Sequence, residues 1–149
     1  VKPEISFALT RNPYARVLSQ LNQEKRYFNE SFDYDKTVNF TFSHVLPRHG
    51  YAVADNHWLP QHSFLSKKTK HFKIENDIDK FIIYLQENNI IEQNAKLHRL
   101  NAHNNNKDKS FEFSKQSKKI INEFYYNDFQ IFNYKFWRPP NAKKQQDLH

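Results

Sequence analysis

The stretch Ile5-Ser-Phe-Ala-Leu-Thr-Arg-Asn-Pro-Tyr-Ala-Arg-Val-Leu-Ser19 sets the fold expected of this chain. Ile5, Phe7, Ala8 and Leu9 make a short apolar run, the pattern of a strand covered on both faces. Asn12 is a favourable helix N-cap, and Pro13 suits the first helical position, where a missing N–H removes nothing from the helix. Tyr14, Val17, Leu18 and Leu21 then recur at helical spacing and give one apolar face. The stretch predicts strand, polar turn and helix, with the helix fading near residues 27–30. Arg11 sits in the turn beside backbone N–H groups at a helix N-terminus, a natural place for an anion. Ser19 follows Asn12 by seven residues, two turns along, so it lies on the stripe that starts at the cap. Arg16 lies close to that stripe.

Composition narrows the classes. The 149 residues suffice for one domain with a core, and 38% hydrophobic content with 14 Phe and 8 Tyr supplies it. Net charge is +7, which suits a polyanionic partner: nucleic acid, a nucleotide, or a sulfated or uronic-acid sugar. There is no Cys, so disulfides, thiolate metal sites and thiol nucleophiles are excluded within these residues. The one glycine, Gly50, rules out a Walker-type loop or a GxGxxG fingerprint here. No apolar run approaches a membrane span, and no signal peptide is visible. The histidine pairs 57/62 and 98/103 are five apart, off a common helical face, and no HExxH occurs, so no metal is expected.

Further along, Ser31–Asn39 reads as a polar, aromatic connection. Thr41–Val45 reads as a short helix with Phe42 inward, stopped by Pro47 and Gly50. Ala52–Val53 carries a faint strand signal. His57, Trp58 and Pro60 crowd into one loop. His71–Glu75 reads as a short strand, and Asn76-Asp77 caps a helix whose Ile78, Phe81, Ile82 and Leu85 share a face. Lys96–Ser110 is a polar loop. Ser114 can cap the last helix, which carries Ile120, Ile121, Phe124 and Asp128.

The spacing Arg11-x-Pro13-x-x-Arg16-x-x-Ser19 after a strand resembles the 3′-phosphate-binding motif of sulfotransferases, which use 3′-phosphoadenosine-5′-phosphosulfate (PAPS). The resemblance gives Arg11 and Ser19 the grip on the nucleotide's 3′-phosphate, with Arg16 beside them. An ordinary strand-to-helix turn is the alternative that this nonapeptide alone leaves open. Asp55-Asn-His-Trp-Leu-Pro-Gln61 resembles the "His-Trp-x-Pro-Gln" stretch of carbohydrate sulfotransferases of the Golgi membrane-associated type and their bacterial relatives (sulfotransferase family 2). Many Golgi members carry cysteines soon afterwards; Ser63–Lys70 has none, which points to a bacterial-type, cytoplasmic enzyme rather than the Golgi lumen. Glu75 stands where a Glu closes the family's strand, with a simple charge near a helix N-terminus as its alternative. The family's nucleotide-closing loop falls at Lys96–Ser110, making Arg99, His103, Asn104 and Lys107 candidates there. Ile121–Tyr134 resembles the family's closing helix, "Tyr-x-x-Asp-Phe-x-x-Phe-Gly-Tyr", with Asn133 in place of glycine as a left-handed cap.

The resemblance implies an α/β, P-loop-NTPase-like sulfotransferase fold, a parallel sheet flanked by helices. The resemblance spans Ile5 to Tyr134, and the partial domain it implies is 1–137, helix-rich in the part present, with 138–149 as a polar tail. The implied reaction transfers a sulfuryl group from PAPS to a carbohydrate hydroxyl and leaves 3′-phosphoadenosine-5′-phosphate. His44, His49, His57 and His62 are the possible bases. His57 is favoured beside Trp58, with a structural role as its alternative. Trp58 as a stacking ring and Gln61 as a polar contact would hold the acceptor. The family's first strand and 5′-phosphosulfate loop, with its Lys, precede the equivalent of Ile5. The resemblance therefore implies truncation at the N-terminus, with the missing segment as a partner. In that case the chain alone should bind the nucleotide weakly and transfer no sulfuryl group; only turnover by the chain on its own would put the charge at the leaving phosphate on Arg11, Arg16, Lys67 or Lys68. A basic, non-catalytic module for nucleic acid or acidic polysaccharide, using Lys67-Lys-Thr-Lys70 and Lys118-Lys119, is the alternative function.

Overall fold

The computed structural model describes residues 5–27, 31–95 and 111–140. In chain order its elements are β1 (Phe7–Thr10), α1 (Pro13–Glu24), a 3-10 turn (Lys25–Tyr27), α2 (Tyr34–Phe40), a π turn (Thr41–Val45) and α3 (Leu46–His49). Then come 3-10 turns at Val53–Asn56 and Gln61–Phe64, β2 (Lys70–Lys73), α4 (Ile78–Glu87), α5 (Lys115–Phe124) and α6 (Tyr126–Ile131). The architecture is α/β, with a small two-stranded parallel sheet and helices. The elements gather into two compact units. One is built on β1, β2 and α4, the other on α1–α3, α5 and α6.

In the first unit β1 and β2 pair in parallel, Phe7 opposite Lys70 and Leu9 opposite Phe72. The ladder continues at both ends, where Lys70 N–H donates to the Ser6 carbonyl at 2.9 Å and Ile74 N–H to that of Thr10 at 2.8 Å. Register places Phe7, Leu9, Lys70 and Phe72 on one face. Phe72, Phe81 and Leu85 form the core there, with Tyr84 and Ile91 packed against it. Phe7 meets Phe81 at 5.3 Å between ring centroids, and the Lys70 ammonium lies 4.5 Å over the Tyr84 ring. The strand expected to be covered on both faces is not so covered among the described residues. Ile5, Phe7 and Leu9 remain 38, 40 and 41% exposed. The reason is the narrow sheet: among the described residues β1 pairs with β2 alone, and a single helix cannot shield a whole strand.

Asp77 occupies the N-cap of α4, but its carboxylate reaches backwards. It accepts from Lys73 N–H and from Lys80 Nζ, each at 3.0 Å, and so ties the end of β2 to the first turn of the helix. The helix closes at Asn88, with Asn89 in the left-handed region at φ 55°.

The second unit is held by local caps and a large aromatic core. The Asn12 side chain accepts from Tyr14 N–H at 3.0 Å, and Pro13 opens α1 as expected. Val17, Leu21, Val38, Trp58, Ile121, Tyr125, Phe129 and Phe132 are all at most 2% exposed. Four expectations are corrected here. The connection expected at Ser31–Asn39 contains α2, capped by Asp33 onto Lys36 N–H at 3.0 Å and buried through Tyr34 and Val38. Pro47 does not stop the helix. The wide π turn precedes it, so Pro47 falls in the first turn of α3, where its lack of an N–H is harmless, and Gly50 at φ 67° ends the run. Ala52–Val53 gives no strand; Val53–Asn56 is a 3-10 turn. The closing helix is two helices, α5 and α6, broken at Tyr125, and Asn133 at φ 51° is the expected left-handed residue.

The backbone N–H of Lys73, followed by the Lys80 ammonium, holds the Asp77 carboxyl below its ordinary range. The unfolded chain then binds more protons than the native one as pH falls, so this contribution is present above the ordinary carboxyl value and lost through the lowered one. Asp77→Asn should lower the melting temperature near neutral pH and flatten its decline towards pH 3, as followed by circular dichroism. Parallel curves for both proteins would show that the Asp77 contacts contribute no pH-dependent stability.

Candidate functional site

The loop His57–His62 is fastened from three places in the second unit, two helices and the break between α5 and α6. From α6, the Asp128 carboxylate, fully buried, accepts from Gln61 N–H at 2.7 Å, from His62 N–H at 2.9 Å and from His62 Nδ1 at 2.7 Å. From the break between α5 and α6, the Tyr125 hydroxyl donates to the Trp58 carbonyl at 2.9 Å, and burial pushes that phenol far above its ordinary range. From α1, the Arg16 guanidinium donates to the carbonyls of Leu59 at 2.6 Å and His57 at 2.9 Å, and lies 5.9 Å from the Tyr125 ring centroid. A buried carboxylate must be answered by donors, and here two backbone amides and an imidazole answer it.

The entry to the loop is strained. Asp55 and Asn56 are consecutive residues in the left-handed region, at φ 50° and 62°. Asp and Asn tolerate that region better than most residues, yet each still costs about 1–3 kcal/mol. The turn sets exposed His57 opposite the C-terminal half of α1. His57 Nδ1 lies 3.0 Å from Gln20 Oε1, and Gln20 Nε2 donates to Glu24 Oε1 at 3.3 Å. Arg16, Gln20 and Glu24 are spaced by four, so one ridge of α1 serves the loop and the helix end. His57, Gln20, Gln23, Glu24, Arg26, Tyr27 and Asp55 line an open cleft. Burial pushes the Glu24 carboxyl above its ordinary value, and the Gln20 amide pulls it partly back.

These contacts revise several residue roles. Trp58 is 2% exposed, edge-on to Phe42 at 5.4 Å, and a ring so enclosed offers no face to a sugar; it is a core residue. Arg16 was expected beside the nucleotide, but its two terminal nitrogens hold loop carbonyls, which makes it a brace for the loop. Gln61 is half-buried, with its backbone amide held by Asp128. His44 and His49 are exposed on the π turn and α3, away from the cleft lining, and His62 is joined to Asp128. Ser19 is half-buried midway along α1. Arg11 is half-buried at the end of the first unit, which also carries Lys67, Lys68 and Glu75, all exposed. Arg99, His103, Asn104, Lys107 and residues 141–149 lie outside the described residues. Asp128, Tyr125 and Gln20 were not anticipated as parts of this loop's surroundings. A signal for Asp128 existed: a carboxylate set among Phe124, Tyr125, Ile131 and Phe132 needs donors from elsewhere.

Among the described residues no group of three or more His, Asp or Glu is placed to hold a metal, and no helix is long and apolar enough to cross a membrane. A family model described as "Sulfotransferase family" matches residues 2–135. No curated protein and no solved structure matches the chain.

Asp128→Asn turns one carboxylate oxygen into a donor facing other donors. Loss of a charged acceptor in a buried site costs about 3 kcal/mol. Urea unfolding should show that loss, with His62→Ala costing clearly less because two backbone amides keep their acceptor. A change below about 0.5 kcal/mol in the Asn variant, the usual range of an unimportant surface site, would mean that the loop is anchored elsewhere.

Proposed function

The chain belongs to the sulfotransferase family, and from that premise we propose that it transfers a sulfuryl group from PAPS to a hydroxyl of a carbohydrate. The observation that carries this reading is the order β1, turn, α1, with Arg11 in the turn, Asn12 as cap and Ser19 two turns into the helix. Arg11 and Ser19 grip the 3′-phosphate. A guanidinium matches phosphate oxygens with paired donors, and a hydroxyl adds one more. Asn104 belongs to the same nucleotide contact. A P-loop-NTPase-like sheet is part of the proposal, and β1, paired on one edge only among the described residues, is compatible with it.

His57 is the base in this reading. Its Nε2 takes the proton of the acceptor hydroxyl as that oxygen bonds to sulfur. The bond from sulfur to the 5′-phosphate oxygen breaks, and the nucleotide leaves with both of its phosphates. Like phosphoryl transfer, the step needs positioning and cationic charge at the leaving oxygen more than covalent chemistry. The cleft beside His57 offers the amides of Gln20 and Gln23, the carboxylates of Glu24 and Asp55 and the Tyr27 ring, a mix that suits a sugar's hydroxyls and its apolar face, and Gln61 stands near the other end of the same loop. A second reading rests on the +7 charge and the exposed Lys67-Lys68-Thr-Lys70 run: a basic module that binds polyanions without turnover.

Calorimetry with 3′-phosphoadenosine-5′-phosphate and with AMP tests the grip. A charge-assisted hydrogen bond contributes about 1.5–3 kcal/mol, so Arg11→Ala should weaken binding of the 3′-phosphorylated nucleotide roughly tenfold or more. Ser19→Ala should cost less, and AMP binding should hardly change in either. Equal losses for both nucleotides would make the turn structural.

A further inference from the structure

The geometry points to Gln20 as a positioning residue: oriented by Glu24, it fixes His57 in the tautomer that carries its proton on Nδ1 and presents the Nε2 lone pair to the acceptor. The inference rests on the reading of His57 as the base and deepens it. Hydrogen-bond polarity along one helix ridge sets the tautomer. An ionised Glu24 only accepts, so the Gln20 group that meets it at 3.3 Å must be the amide NH2. The other end of the same amide is then the carbonyl oxygen, which also only accepts. It lies 3.0 Å from His57 Nδ1, and that nitrogen must therefore bear the hydrogen. A neutral imidazole with its proton on Nδ1 has its basic lone pair on Nε2.

An isolated imidazole side chain has no such constraint and mixes both tautomers. Fixing one of them keeps the correct nitrogen basic in every molecule of the enzyme, as the orienting carboxylate does in hydrolytic triads. When the proton arrives on Nε2, the Nδ1–H donates more strongly to Gln20. The amide passes part of that polarisation to Glu24 without moving a second proton. Among the described residues, the charged groups around the ring are Glu24, Arg26 and Asp55 in the cleft, and Arg16, whose guanidinium binds the backbone carbonyl of His57. None of these contacts the ring nitrogens as directly as Gln20 does. His62 makes a contrast within the same loop. Its Nδ1 is bound straight to buried Asp128, and it is not among the residues lining the cleft.

Nitrogen–proton correlation spectra of the 149-residue protein labelled at histidine nitrogen report the tautomer of each ring directly. In alkaline buffer, where imidazoles are neutral, the wild-type ring should show its proton on Nδ1. Gln20→Glu keeps an acceptor-only group opposite the ring and should keep that tautomer. Gln20→Lys places a donor there and should move the majority of the population to a proton on Nε2. Both substitutions are helix-compatible changes at a half-buried position, and circular dichroism confirms the fold of each. A wild-type proton on Nε2, or a tautomer indifferent to both variants, overturns the inference. Failure of the underlying reading looks different: His57→Ala transferring sulfuryl at the wild-type rate removes the base, whatever tautomer the ring adopts.

Discussion

The Asp128 carboxylate is the constraint on which the second unit depends. It is fully buried, and its oxygens take the amides of Gln61 and His62 and the ring of His62. An unanswered carboxylate at that depth would cost several kcal/mol, so the loop has little freedom to lie anywhere else. Fixing residues 61 and 62 fixes the approach of Trp58 into the core, where Phe42 and the Tyr125 hydroxyl meet it. His57 follows, because the left-handed pair Asp55–Asn56 on one side and the Arg16 contacts on the other leave it a single position beside α1.

This arrangement divides labour along α1. Its N-terminus, capped by Asn12, stands next to Arg11 in sequence and carries the proposed nucleotide contact. Val17 and Leu21 bury one side, and the ridge Arg16–Gln20–Glu24 braces and orients the loop. Tyr14 adds a tie to the far end of the chain, donating to the Asn122 side chain and accepting from Trp137 N–H at 2.8 Å. Cap, buried side and bracing ridge all follow from a twelve-residue helix with a single good cap.

What was legible in the sequence was local chemistry. Asn12-Pro13, Ser114 and Asn133 announced helix ends because a cap is decided by a few neighbouring atoms. α4 was legible because Phe81 and Leu85 keep helical spacing on a core-facing side. α2 was hidden because only Tyr34 and Val38 mark its buried face, although Asp33 stood ready as a cap. Contacts between distant residues were not legible. Nothing near Gln61 announces that a carboxylate 67 residues away will hold its amide. Trp58 was misassigned for a related reason. An aromatic ring in a polar loop suits a ligand as well as a core, and only the positions of Phe42 and Tyr125 decide between them.

The two functional readings make opposite demands on charge, and ionic strength separates them. The measurement is titration of the wild-type protein with 3′-phosphoadenosine-5′-phosphate and with AMP at rising salt. A built 3′-phosphate grip predicts that the 3′-phosphorylated nucleotide keeps an advantage of roughly tenfold or more at every salt concentration, because directed hydrogen bonds persist when diffuse attraction is screened. Affinities for the two nucleotides that converge and collapse together as salt rises would contradict the account and leave a basic polyanion-binding surface in its place.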